Sequence, residues 1–213
     1  MPPTPAEERQ ARLAKMQAAQ KNAERRRTFL VVGIAGALAA LLIGVVVVVI
    51  VRSERQDGEV ERLAKSPIEG VDDFGEQTAN HVETDVEYAQ DPPVGGDHLP
   101  APRWQNCGYY DAPVQDEAGV HSLEHGAVWI TYDPELPTEQ VSQLEKLAAD
   151  NSYLLVSPRE DLPSAVVASA WGLQLKLDDV SDERLAAFMV KYMQGEQTPE
   201  PGAPCSGGVT ATL

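Results

Sequence analysis

The sequence predicts an α+β fold: a small exported domain, its small sheet covered by two helices, behind one N-terminal transmembrane helix. Three observations carry this expectation. Residues 29–51 form an apolar run without a single charge. Beyond residue 77, short runs of strand-forming residues interleave with two amphipathic helical patterns. The charge is also split along the chain. Residues 1–28 carry seven Lys/Arg against three Asp/Glu, a net of +4, and the remainder carries ten against thirty, a net of −20. Such a split implies that the two ends occupy different environments. The acidic part repels phosphate, which argues against nucleic acid as a partner.

Residues 1–28 are rich in Ala, Gln, Lys, Arg and Glu, and from Ala6 to Arg27 they favour helix. Their apolar residues are mostly Ala, so they have little to bury. The segment reads as a basic cytoplasmic tail, solvated or lying on a membrane surface. Arg25, Arg26 and Arg27 abut the run Phe29–Val51. As a helix at about 1.5 Å per residue, that run spans about 35 Å, enough for a hydrocarbon core of about 30 Å. A cleaved secretory signal is the alternative. The run is long for a signal core, and no clear small-x-small cleavage site follows Val51. The basic residues lie mainly before the span, with only Arg52 and Arg55 soon after it. This places the N-terminus in the cytoplasm and everything after Val51 outside the cell membrane. Gly36, Ala40 and Gly44 recur at four-residue spacing. Such a stripe permits close packing with a second span, as a homodimer or with a membrane-complex partner.

Residues 52–76 are charged and contain Gly58, Pro67, Gly70 and Gly75. They read as a stalk, with a short helix over 60–65. The exported domain is expected over 77–208. His81-Val82-Glu83 and Val86-Glu87-Tyr88 alternate weakly, as an edge strand does. Asp91-Pro92-Pro93-Val94-Gly95-Gly96-Asp97-His98 excludes a regular helix or central strand. It reads as a loop that delivers His98 to a definite place; the plainer reading is a turn with an exposed histidine. Residues 99–119 hold Trp104, Cys107, Tyr109 and Tyr110 among prolines and glycines, an irregular segment pinned by aromatics.

Val120-His121-Ser122-Leu123-Glu124-His125-Gly126 is the centre of the chain. It holds two of the four histidines, four residues apart. Positions i and i+4 share a face in either a helix or a strand. Glu124 discriminates between the two: on a helix it lies beside His121, and on a strand it points the other way. Ala127–Tyr132 follows as a strand. Thr138 is placed to cap a helix whose face is Val141, Leu144, Leu147 and Ala148. Strands are expected at 153–157, 165–171 and 173–177. Ser181 begins an imperfect capping pattern for a second helix, running to about Gln194, with Leu185, Phe188, Met189 and Tyr192 buried. Met189 and Met193 share a face; such a pair belongs either to the core or to a soft metal site. The tail from Thr198 to Cys205 is polar and extended, and needs something to hold it.

Cys107 and Cys205 form no Cys-x-x-Cys pair. Placed outside the membrane, they are expected to form a disulfide that docks the tail. No internal repeat, phosphate-cradling loop or dinucleotide fingerprint occurs. Several motifs follow in order: Pro92-Pro93-x-Gly95-x-x-His98, Gly108-x-Tyr110, Val120-His121-x-Leu123-Glu124-His125-Gly126, Tyr132-x-Pro134, Trp171-Gly172, and Pro199-Glu200-Pro201-Gly202-Ala203-Pro204-Cys205. Over roughly residues 70–208 the chain resembles a bacterial, mainly actinobacterial, membrane-anchored family, domain of unknown function 3105. The resemblance implies a single N-terminal span and an exported domain, and no established activity.

Three functional readings remain. The first is a transition-metal site, copper or zinc, built from His98, His121 and His125, with Met189 or Met193 as soft donors and Glu124 beside the imidazoles. The second is a non-catalytic accessory or scaffold subunit of a membrane complex, with structural histidines. The third is a zinc hydrolase, since His121-x-x-Glu124-His125 resembles an inverted zincin motif. Against it, Gly126 and a strand-like run leave little room for the helix that motif needs. No Ser/His/Asp or Cys/His nucleophile has a local signature, so no catalytic residue is assigned.

Overall fold

The computed structural model describes residues 5–213, except the side chains at 5–8, 11, 14, 23 and 28–40. It divides into two compact units, one ending at Gln56 and the other comprising Asp57–Leu213. Helix α1 runs from Pro5 to Ala64 without interruption. The expected short helix at 60–65 is therefore the end of α1. The expected span at 29–51 is helical throughout, and the side chains of its first twelve residues lie outside the described residues. Among the described residues, no helix is long and apolar enough to cross a membrane.

The second unit is an α+β domain around a six-stranded mixed sheet, larger than the small sheet expected. In chain order its elements are β1 (Val71–Asp73), β2 (Gly108–Tyr109), α2 (Asp116–Glu124), β3 (Val128–Tyr132), α3 (Thr138–Asp150), β4 (Leu154–Pro158), β5 (Val166–Ala170), β6 (Leu173–Leu177) and α4 (Glu183–Tyr192). The sheet order is β1-β6-β5-β3-β4-β2. Strands β2, β4 and β3 are mutually parallel, and β3-β5, β5-β6 and β6-β1 are antiparallel. The parallel β3–β4 pair requires a crossover, which α3 supplies. The sheet begins earlier than residue 77: β1 lies within the segment read as a stalk, and Ile68 is buried in the core.

Alternation along the strands divides the interior into two clusters. Val128, Ile130, Tyr132, Leu154, Val156, Val166, Ala168, Leu175 and Leu177 face α3 and α4, meeting Leu144, Ala148, Leu185 and Phe188. Trp129 and Leu155 face the other way and pack with Val120 and Leu123 of α2, Val114 and Trp171. So α3 and α4 are the two covering helices of one face. Helix α2 is a third, on the opposite face, which the periodicity did not reveal.

Helix starts differ by one residue from the sequence reading. The amides of Gln140 and Val141 donate to the Pro137 carbonyl, so Pro137, rather than Thr138, closes the first turn of α3. Asp182, rather than Ser181, caps α4, because its carboxylate accepts the Arg184 amide at 2.9 Å.

Helix α2 is short, and its position depends on close packing. A Cβ at Gly119 would lie 2.6 Å from Cζ3 of Trp129. The indole is buried and donates through Nε1–H to the Ser157 hydroxyl at 3.0 Å, so it has no room to retreat. At its other end the helix stops in a Schellman turn. The amide of Gly126, at φ +94°, donates to Leu123 O, and that of Ala127 to Ser122 O.

The tail is tied down covalently, as expected. Cys107 and Cys205 are bonded, closing a sequence separation of 98 residues. Loop entropy gives such a link on the order of 4–5 kcal/mol before native-state strain. Hydrogen bonds continue the docking: Glu200 N–H to Glu124 O at 3.1 Å, Tyr153 O–H to Ala203 O at 2.8 Å, and Cys107 N–H to Cys205 O at 2.8 Å.

Gly119→Ala tests the α2–Trp129 packing. Helix propensity alone favours Ala by about 1 kcal/mol. Overpacking against a fixed indole costs about 1–3 kcal/mol. We expect the overpacking to win, with a lower urea midpoint at unchanged m. A midpoint at or above that of the parent would show that Trp129 does not fix the helix.

Candidate metal centre

All four histidines of the chain lie in one string on the α2 side of the sheet. Ring centroids are 4.8 Å apart for His81–His98, 4.8 Å for His98–His121 and 4.6 Å for His121–His125. Each is placed by a different local device. His81 and His98 are neighbours in an isolated parallel bridge, with Val82 N–H on His98 O at 2.8 Å and His98 N–H on Asn80 O at 3.0 Å. His121 and Glu124 lie one turn apart on α2, so the helical alternative at the centre of the chain holds. His125 is the residue at which α2 ends, and its ring points toward the docked tail.

Among the described residues, two groups of donors are close enough to hold an ion. Ligand atoms of His81, His98, His121 and Glu124 all lie within 4.8 Å of one another, as do those of Glu124, His125 and Glu200. Glu124 is common to both. His81, read as part of an edge strand, and Glu200 were not among the expected donors. Histidine count was the available signal for His81, because a chain with four histidines in 213 residues has few to place by chance. Met189 and Met193 do not join the expected set. Met189 is buried in the cluster beneath α4, across the sheet from α2, and Met193 packs against the same cluster. The scaffold role wins because α4 needs an apolar face there.

His98 is wholly buried, with acceptors at both ring nitrogens. Nδ1–H donates to Gly96 O at 2.8 Å, and Nε2 faces Glu124 Oε2 at 2.9 Å. Gly96 adopts φ +120°, a conformation that suits glycine and turns its carbonyl onto the ring. Burial opposes charge on His98, but the Glu124 and Gly96 hydrogen bonds outweigh it, and its pKa is raised. Burial pushes Glu124 upward in the same way, yet His98, His121 and His81 bring it below its ordinary value. Both shifts favour an imidazolium–carboxylate pair at the centre. Asp97 does not orient a ring. Its carboxylate accepts from Asn80 N–H and Nδ2–H, and so steadies the segment that carries His81.

His121 is the counterpart. Burial, then the neighbouring His125 and His98, lower its pKa to about 4. Its Nδ1 is buried without a hydrogen-bond partner. A neutral imidazole with an unused lone pair is the form that ligates a metal. Trp104 stands at 5.6 Å from the His121 ring and 5.0 Å from His125, and Trp171 meets the edge of His98 at 6.1 Å. These indoles give the donors an apolar surround that limits solvent access.

The His121 shift sets a pH dependence of folding in metal-free protein. A histidine whose folded pKa is lowered is protonated first in the unfolded chain. Stability is then full above about 6.5 and declines as pH falls toward about 4. His98, with a raised pKa, contributes fully below about 6.5, and the Glu124 contribution is lost only below about 4.5. Between pH 6.5 and 5 the slope thus reports His121, and amounts to about 2 kcal/mol at 1.36 kcal/mol per unit. Urea unfolding in the presence of a chelator should show that decline, and His121→Ala should remove it. An equal slope in the variant would assign the dependence elsewhere.

Comparison with curated proteins finds no match, and neither does comparison with solved structures. A family model does match: the one described as protein of unknown function (DUF3105) covers residues 81–207, more than half of the chain, and the chain belongs to that family.

Proposed function

We propose that the domain binds one divalent transition-metal ion, zinc or copper(II), between His81, His98, His121 and Glu124. The observation that carries this reading is the convergence of three imidazoles and one carboxylate within 4.8 Å. Imidazole suits both metals, and a carboxylate oxygen in place of a thioether favours the divalent state over copper(I). The Gly96 carbonyl holds Nδ1–H of His98 and leaves Nε2 for the ion, the usual way a ligating histidine is oriented. Four protein donors complete a tetrahedral set, which supports binding rather than hydrolysis, since catalytic zinc keeps a position open. The short helix that an inverted zincin motif requires does exist here, contrary to the sequence expectation. However, Glu124 lies among the donors and is bonded to His98 instead of standing free as a base.

A scaffold or accessory-subunit reading has one observation in its favour. The His98–Glu124 pair satisfies both groups without an ion. His81→Ala separates the two readings, because His81 is about two-fifths exposed and its loss leaves the core intact. Calorimetric titration of the full chain with zinc and with copper(II) should show binding. His81→Ala should weaken it by more than the roughly 10–100-fold typical of an outer-shell partner. No binding by the parent, or equal binding by the variant, returns the histidines to the scaffold.

The same proposal places the domain outside a cell membrane, anchored through residues 29–51. Among the described side chains of that run, Leu41, Leu42, Ile43 and every residue from Val45 to Val51 are solvent-exposed, an apolar surface that lipid would cover. Association with a second span through Gly36, Ala40 and Gly44 belongs to this reading. Protease added to intact spheroplasts should digest residues 57–213 and spare the basic tail. Protection of the domain would reverse the topology.

A further inference from the structure

The second group of donors extends the metal reading and rests on it. We propose that Glu124 is shared, and that a second divalent cation binds on its other side, between Glu124, His125 and Glu200. The three ligand atoms lie within 4.8 Å of one another. His125 is only 3% exposed, so its ring is held in place. Its Nδ1–H donates to Pro204 O at 2.8 Å, which fixes the tautomer and leaves a lone pair on Nε2. That Nε2 is 3.6 Å from Glu200 Oε2, beyond hydrogen-bond distance of that carboxylate. The Nε2 of a buried imidazole therefore lies across from a carboxylate, with space between them that an ion would fill.

The far side of this site belongs to the tail, and the tail is fixed. Glu200 N–H donates to Glu124 O at 3.1 Å, which ties the two carboxylate residues together through the backbone. Cys205, next to Pro204, is bonded to Cys107, so the carbonyl that orients His125 is held covalently. The donor set differs in kind from the first: one imidazole and two carboxylates, with Glu200 half exposed. Three donors leave room for water, so an ion here exchanges more readily than one enclosed by four. A carboxylate with two oxygens can bridge two cations, and its negative charge offsets their repulsion.

The experiment is equilibrium dialysis of the full chain against zinc alone near pH 7.5, followed by elemental analysis per chain. Two zinc ions are expected in the parent. Glu200→Gln, an exposed position whose change leaves folding intact, should lower this to one, as should His125→Ala. His81→Ala should remove the other ion, and Glu124→Gln should remove both. Circular dichroism checks each fold. One zinc in the parent overturns the second site and leaves the first standing. No zinc in the parent overturns both. Two zinc ions retained in Glu200→Gln and in His125→Ala overturn the assignment of donors, and one retained in Glu124→Gln overturns the sharing.

Discussion

The domain is arranged around a buried carboxylate. Glu124 is 3% exposed, at the last turn of a short helix, and among the described residues its ion-pair partners are histidines. An isolated buried charge is costly, so such a group must be paired and hydrogen-bonded. Here the pairing comes from histidines, two of them on other segments. His98 arrives from a loop stiffened at Pro92 and Pro93, His81 from the segment bridged to it, and His121 from the preceding turn of the same helix. Truncating one partner of such a pair leaves the other charge uncompensated. The polar centre therefore constrains where three separate segments can lie.

Holding that carboxylate in place requires α2 to be aimed. Nine residues are too few for a helix to persist on propensity, and Gly119 in its middle weakens it further. The gain lies in proximity: without a Cβ, the helix backbone settles on Trp129, which the strand places on the α2 face of the sheet. Gly126 then ends the helix in one turn and returns the chain to β3. Two glycines thus convert the alternation of β3 into a defined position for Glu124. The docked tail closes the remaining side. Its anchors are a disulfide, a tyrosine hydroxyl and the His125 ring, not apolar area, which it lacks.

How much of this was legible follows from where each element draws its stability. Strands β3 to β6 and helices α3 and α4 carry their own patterns, because they bury apolar side chains at regular intervals on a common core. Helix α2 buries Glu117, His121, Ser122 and Glu124 as well as Val120 and Leu123, so no apolar stripe announces it. Its helicity is a property of its neighbours. Strand β1 lies in a segment of charge and glycine and is recruited by pairing with β6. Met189 follows the same logic in reverse: its helical spacing meant core, and the core is where it lies. His81 showed only a weak strand-like alternation, and the segment forms a single isolated bridge, so no period marked it as part of the site.

The pairing of His98 with Glu124 and the binding of a metal are compatible, because the proton on Nε2 occupies the place of the ion. With no metal bound, two hydrogen bonds hold the ring in the orientation that ligation needs, and the carboxylate already faces the lone-pair direction. On the proposed metal reading, an ion would take the place of that proton with the His98 ring already oriented, which removes part of the usual ordering cost. His121 needs no such exchange: burial and its neighbours keep it neutral at pH 7, and its Nδ1 lacks a partner. Around the same carboxylate, one imidazole is biased toward its protonated form and the other is kept neutral. On the proposed reading, an ion entering this site would compete with a proton for His98 and would meet His121 in its neutral form. The buried, unpartnered nitrogen of His121 is thus the feature of the metal-free domain that the proposed ion would act on.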